Sequence, residues 1–525
     1  MITYTSFVFF ILYFGITCIF YTLFPPKAKW AVLLVGSYAF YFISAKGNVV
    51  PLIASTVVVW GAGMLLQRLE NSFKEKKKGA SRDERKALKK KYGSYKSAVL
   101  AVGIIVSAGI LLVCKYSNFF IDTVNGIFGA SINEVKILQP LGISFYTLQA
   151  ISYLVDIYRG KFEAEKNVLR VSLYLSFMLT IVEGPIARYD DLGVQLQKGK
   201  SFDAHSFELG TQRIIWGLFK KIVVADRAAE FVNAVFDHDS RYSGVAVVAA
   251  ILFYTLQLYF EFSGVMDVVC GFGNMMGLKL PENFERPFFS KSINEFWQRW
   301  HITLGAFLRD YIFYSISFSK PFMNAAKSAR KKFSPYYANL IPTSVALFFV
   351  WFTNGFWHGS GWKYITYGLY YYVLMMLGSF CEPMFEKLCK KLKLDRSSKG
   401  YGVFKMLRTF VIVNFGMLIF RADSLAQAGR MFVSIFSNPN FTVLIPGHGG
   451  KFGLDLFDYA IIIIGAAVVF AVSLKREKGT DVAERISGLP LWARYIGYLV
   501  AILIVVIAGA YGEGYGVVDL IYANF

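Results

Sequence analysis

Asn354-Gly355-Phe356-Trp357-His358-Gly359-Ser360-Gly361 interrupts an apolar run, roughly 339–386, that is about twice as long as a membrane span. Lys320, Lys327, Arg330, Lys331 and Lys332 precede the run, and the basic stretch Lys387 to Lys399 follows it. Lys and Arg gather in cytoplasmic loops of membrane proteins, so both ends lie on one side and the run folds back as a hairpin. His358 then sits at the glycine-rich bend, where the backbone can be approached closely. Upstream, Gln298-Arg299-Trp300-His301 brings a second histidine into an aromatic setting. Ser292-Ile293-Asn294-Glu295 reads as a capping box. The helix it opens carries Phe296, Trp297, Trp300 and His301 on one face and continues to about Phe318 across Arg309-Asp310.

The rest of the chain has the same character. Its 525 residues are 55% hydrophobic and 17% aromatic with a mean hydropathy of +0.45, too apolar for a soluble protein of this length. The pattern predicts an all-α polytopic membrane protein, with about eleven transmembrane helices and re-entrant pieces around a central cavity. Barrel-type alternation is absent. Expected spans are 5–24, 29–45, 49–68, 97–114, 137–158, 245–270, 403–420, 457–474 and 492–511, besides the two arms of the hairpin. The chain reads as one membrane domain over 1–525. The net charge of +21 belongs to cytoplasmic loops rather than to a nucleic-acid surface, above all to the basic loop 73–96. Counting spans from that loop puts the N-terminus and the C-terminus outside. Residues 159–245 cannot be oriented from sequence and read as a re-entrant cavity wall.

Chemistry narrows to a few side chains. His205, His238 and His448 lie in polar or turn-rich contexts. His301 and His358 each follow a Trp in apolar sequence, so each is either hydrogen-bonded within the core or functional. Five cysteines without CxxC spacing, and two histidines with no third ligand, make no metal site. No P-loop, GxSxG elbow, HExxH or GxGxxG after a strand competes. General acid–base work by neutral imidazole remains, and acyl transfer from a thioester to a hydroxyl needs little else. Two readings stand for Glu261 and Asp267, both in the apolar run 245–270: functional acids, or partners of an Arg that lock helices together.

Leu258 to Asp267 (LYFEFSGVMD), Leu280 to Phe284 (LPENF), Phe296 to Tyr311 (FWQRWHITLGAFLRDY) and Trp357 to Trp362 (WHGSGW) resemble the membrane-bound O-acyltransferase superfamily. Pro140 to Gln149, Gly184 to Arg188 and Phe420 to Ser424 add to the resemblance, which covers a core of 140–425. It is most similar to the bacterial branch that includes the alginate O-acetylation and teichoic acid D-alanyl transfer membrane proteins. That branch often has Asp, Tyr and Ser where this chain has Glu261, Val265 and Met266.

The resemblance implies catalytic roles for His358 as general base and for His301 as its companion, which orients the thioester or relays a proton. It implies a cavity set of Trp300, Trp357, Asn354, Arg309, Asp310, Glu261, Asp267 and Arg188. Arg309 and Asp310 either pair with each other or face the cytoplasmic entry. No bound cofactor is implied. The co-substrate is an acyl thioester, acetyl-CoA or an acyl carrier protein. The expected partner is an extracytoplasmic protein of the SGNH-hydrolase type, and the expected acceptor an envelope polysaccharide beyond a bacterial cytoplasmic membrane. D-Alanyl transfer to teichoic acid is the alternative. From another class, a polysaccharide or lipid-linked transporter would use the histidines as a proton relay, and a structural scaffold would not need them.

Overall fold

In the computed structural model, residues 4–6, 8–441, 452–511 and 515 are described. His448 and the two chain ends, to which the sequence reading assigned positions, lie outside them. The described residues form helices and one isolated antiparallel bridge, Phe284 with Trp300. They divide into two compact units. One takes the residues up to Thr211 with Val269–Pro281, the other Gln212–Val268 and the residues from Glu282.

The first unit holds α1 (Ile16–Leu23), α2 (Lys29–Ser44), α3 (Val50–Lys77), α4 (Arg82–Phe128), α5 (Ile143–Tyr158), α6 (Val168–Ser176) and α7 (Val194–Lys198). α5 is buried on nearly all sides, its polar Ser144, Thr147, Gln149, Ser152 and Asp156 included. After α6 the chain runs through a buried irregular segment, residues 177–187. Side chains satisfy its backbone: Met178 N–H donates to Ser37 Oγ, Val182 N–H donates to the Tyr4 hydroxyl, and Ala187 C=O accepts from Tyr174. This is the arrangement expected of a re-entrant segment, where non-helical backbone survives only under cover.

The basic segment 73–96 is helical rather than a loop. It forms the end of α3 and the start of α4, with a turn only at 78–81. Lys, Arg and Glu favour helix, and Ser81 with Glu84 forms a reciprocal capping box that restarts it.

α8 (Ala204–Leu218), α9 (Asp226–Phe236) and α10 (Val245–Met275) follow, with a π-helical turn at Phe219–Ala225 between α8 and α9. The expected helix 293–318 is broken. It becomes α11 (Ile293–Arg299), α12 (Ile302–Phe307), a π-helical turn at Leu308–Phe313 and α13 (Tyr314–Ser317). The capping box is half formed. Ser292 Oγ accepts from Glu295 N–H at 3.1 Å, but Glu295 reaches back to Lys291 N–H. Then come α14 (Lys320–Lys332), α15 (Pro335–His358), α16 (Trp362–Lys391), α17 (Lys399–Arg421), α18 (Leu425–Ser437), α19 (Leu456–Glu477), α20 (Val482–Ser487) and α21 (Leu491–Ala508).

Seven described helices are long and apolar enough to cross a membrane: α3, α4, α10, α15, α17, α19 and α21. The other expected spans are helical but shorter or, in the Tyr-rich α16, less apolar, and the expected helix after Ser292 is interrupted.

α15 and α16 form the expected hairpin around His358, and two glycines set its closeness. A Cβ on Gly355 would overlap the Tyr364 carbonyl, and one on Gly368 would overlap the Trp351 carbonyl. Gly368→Val should therefore push the helices apart, destabilising by about 1–3 kcal/mol. Gly378 of α16 has nothing within 4 Å of such a Cβ. Gly378→Ala should hold or slightly raise the melting temperature in detergent while Gly368→Val lowers it.

Candidate active site

A segment three residues long builds the first half of the site. Asn283 C=O accepts from Ile302 N–H at 3.0 Å, and Asn283 Oδ1 accepts from Thr303 N–H at 3.1 Å and Thr303 Oγ at 2.7 Å. Glu285 N–H donates to Arg299 C=O at 2.9 Å. The segment thus satisfies a carbonyl at the end of α11 and two N–H groups at the start of α12, groups that helix ends otherwise leave orphaned. His301 is the N-cap of α12, at φ 48° and ψ 51°, and its side chain makes no cap bond. A left-handed conformation costs a non-glycine residue about 1–2 kcal/mol. Here it turns the imidazole out of the line of both helices, with Asn283 capping in its place.

The His301 ring lies edge to face with Phe262 at 4.9 Å between centroids and meets Trp357 at 5.8 Å. Its Nδ1 is 3.4 Å from Asn283 Oδ1. Because that oxygen only accepts, the contact favours the proton on Nδ1 and leaves Nε2 as the basic nitrogen. Asn283 Nδ2 meets Met266 Sδ at 3.1 Å, which fixes the amide's orientation.

The hairpin supplies the second half. His358 is the last residue of α15, with Trp357 at 5.1 Å, Phe420 at 5.4 Å and Tyr367 at 5.9 Å around its ring. The two imidazole centroids are 6.4 Å apart and both residues are buried. At this separation one hydroxyl can bond both rings when a nitrogen of each faces it. Trp357 contacts both rings. Asn354 is buried one turn before His358 on the same helix face, and its Oδ1 accepts no hydrogen bond among the described residues.

The Trp300 ring packs in an aromatic core with Phe284 at 5.1 Å, Phe296 at 5.4 Å and Tyr259 at 5.9 Å. Its backbone is extended, so it parts from the face that a continuous helix would share with His301. Arg309 pairs with Asp310 at 2.9 Å, its side chain 60% exposed. Arg188 belongs to the first unit, half-buried at the start of a π-helical turn at Tyr189–Gly193.

Asp267 accepts from Lys220 at 2.6 Å and Arg213 at 3.0 Å, and Glu261 stands 3.7 Å from Lys221, which also pairs with Asp226. Of the two readings of these acids, the ion-pair lock is the one this geometry supports, with lysines as the principal partners.

Asn283 is the neighbour of His301 that sequence reasoning missed. Its signal was a polar residue in the turn-rich link between Pro281 and Pro287, within the LPENF stretch.

The chain matches the model of the MBOAT, membrane-bound O-acyltransferase, family over residues 166–418. The probable alginate O-acetylase AlgI of Pseudomonas syringae pv. tomato is 30% identical over 74% of this chain and 70% of its own length. The chain belongs to the membrane-bound O-acyltransferase family. The peptidoglycan O-acetyltransferase of Helicobacter pylori is 29% identical over 64% of each chain. The teichoic acid D-alanyltransferase of Bacillus subtilis is 29% identical over 54% of this chain and 69% of its own. This O-acyltransferase is thus a multi-pass integral membrane enzyme, and both histidines lie inside the family match.

Two outcomes test the site's supports. Asn283→Ala leaves buried donors of Thr303 unmet and frees the His301 ring. Acyl transfer should fall by about tenfold or more and stability by about 1–3 kcal/mol, read from turnover per folded molecule and from thermal melting. Lys221→Met removes a cation from beside the buried Glu261 and the half-buried Asp226 and should destabilise by about 3–5 kcal/mol, seen as a loss of folded protein in the membrane. Glu261→Gln should keep most activity per folded molecule, as a lock residue does and a catalytic acid does not.

Proposed function

We propose that this enzyme moves an acetyl group from a cytoplasmic thioester toward hydroxyls of an extracytoplasmic envelope polysaccharide. The observation that carries the reading is the pair of buried imidazoles, 6.4 Å apart, at the two family motifs. The match to the alginate-type relative spans 74% of the chain against 54% for the D-alanyl type, which favours acetyl.

His358 takes the proton of the attacking hydroxyl as its oxygen adds to the thioester carbonyl. The C–O bond forms, the C–S bond breaks, and the leaving thiolate takes the proton from imidazolium. With its proton held on Nδ1, His301 offers an acceptor at Nε2, which suits it to relay that proton rather than to polarise the carbonyl. The aromatic rings of Phe262, Trp357 and Phe420 keep water from the acyl group. α15 begins beside the basic helix α14 and has 24 residues, about 36 Å, a length that supports a site toward the side opposite those charges. With α14 in the cytoplasm of a bacterial cell, the acceptor meets the site from outside. That acceptor is the polysaccharide itself or the serine of an SGNH-type partner protein.

Cells carrying His358→Ala at wild-type membrane abundance should lose alkali-labile acetate from their envelope glycan, since a positioned general base contributes about 10²–10⁴-fold. Loss of D-alanine instead would establish the teichoic acid alternative. An unchanged ester content would end the catalytic reading of His358.

A further inference from the structure

The hairpin of α3 and α4 carries a surface that acyl transfer in the membrane does not explain. Residues 74–91 contain ten Lys and Arg against Glu75, Asp83 and Glu84. On α4, Arg82, Arg85, Lys86, Lys89 and Lys90 recur at i, i+3, i+4, i+7 and i+8, which puts all five on one helix face. All five are exposed, and none makes an ion pair among the described residues. The hairpin beneath them is packed. Tyr92 of α4 meets Phe73 of α3 at 5.9 Å, and Lys96 pairs with Glu70 at 2.6 Å. Topogenesis needs only positive charge near a span. It does not need a one-faced stripe on an ordered helix.

The stripe and the span are one uninterrupted helix, Arg82–Phe128. The apolar part of α4 begins near Ala98, so Lys90 and Arg82 stand about 12 and 24 Å further along the axis. The headgroup layer is about 5–8 Å thick and charges are screened over about 8 Å. Most of the stripe therefore faces water beyond the lipid surface, where an acidic protein, not an anionic membrane, is the complementary partner.

We propose that this stripe docks an acidic soluble carrier protein that brings the acyl thioester. The cargo rests on the acyl-transfer reading; the docking rests on the hairpin alone. Steering by opposite charge speeds association and leaves a strong dependence on salt.

The test uses the full chain in nanodiscs of zwitterionic lipid, with purified apo acyl carrier protein from the same cells as the probe, so that no chemistry is involved. Wild type should bind it, and more weakly as salt rises. Arg85→Glu/Lys86→Glu/Lys89→Glu should slow association by about tenfold or more, while Lys327→Glu/Lys331→Glu in α14 leaves it unchanged. Failure of the wild type to bind, or equal binding by the stripe variant, overturns the proposal. A fluorophore at Ala87→Cys, with the native cysteines replaced by alanine, should escape a quencher tethered to lipid headgroups. Efficient quenching would mean that the stripe lies on the membrane and would likewise overturn it. His358→Ala should bind the carrier as wild type does. If that variant keeps its ester while docking persists, acyl transfer by His358 falls and the docking surface stands.

Discussion

A helix that stops inside an apolar core leaves N–H and C=O groups with nothing to bond. The second unit stops one at Arg299 and starts another at Ile302, and the place of His301 depends on how those groups are met. Asn283 and Glu285 meet them from outside both helices. Because a distant residue does the capping, the residue at the N-cap position is free to be a histidine, and its imidazole faces the other histidine rather than its own backbone. Structure and chemistry share one residue here: the amide that caps α12 also touches His301 Nδ1.

The second histidine is placed by a different device. α15 and α16 approach backbone to backbone at Gly355 and Gly368, so the bend between them is tight and His358 ends a helix rather than floating in a loop. Phe420, from α17, closes the ring of aromatics. Around this apolar site the charges are collected elsewhere. Lys220 and Lys221, both buried on the π-helical turn before α9, hold Asp267 and Glu261 of α10. Ion pairs of this kind add little net stability compared with apolar packing, but they are costly to break, which suits them to fixing one register of packed helices.

In the first unit, charge is arranged along an axis. The same helix that is apolar enough to cross a bilayer carries a stripe of five basic residues at its start. A continuous helix cannot bend away from its own span without breaking hydrogen bonds, so the span's direction fixes where those charges point.

The sequence determined much of this directly. Hydropathy, basic segments and the glycines around His358 were enough for an all-α membrane protein with a hairpin at 339–386, and two Trp-His pairs in apolar sequence marked the site. Local pattern carried that information because burial in lipid and in a core selects the same residues at helical spacing. The tertiary structure alone decided the break at Trp300 and His301. Nothing local announces it: there is no glycine or proline, and Phe296, Trp297, Trp300 and His301 fit one helical face. The break exists because Phe284 bridges Trp300 and Asn283 caps α12 from about 20 residues away, a bond between segments that no window of sequence contains. The partners of Glu261 and Asp267 were hidden for the same reason, since a buried carboxylate names its need for a cation but not the helix that supplies it.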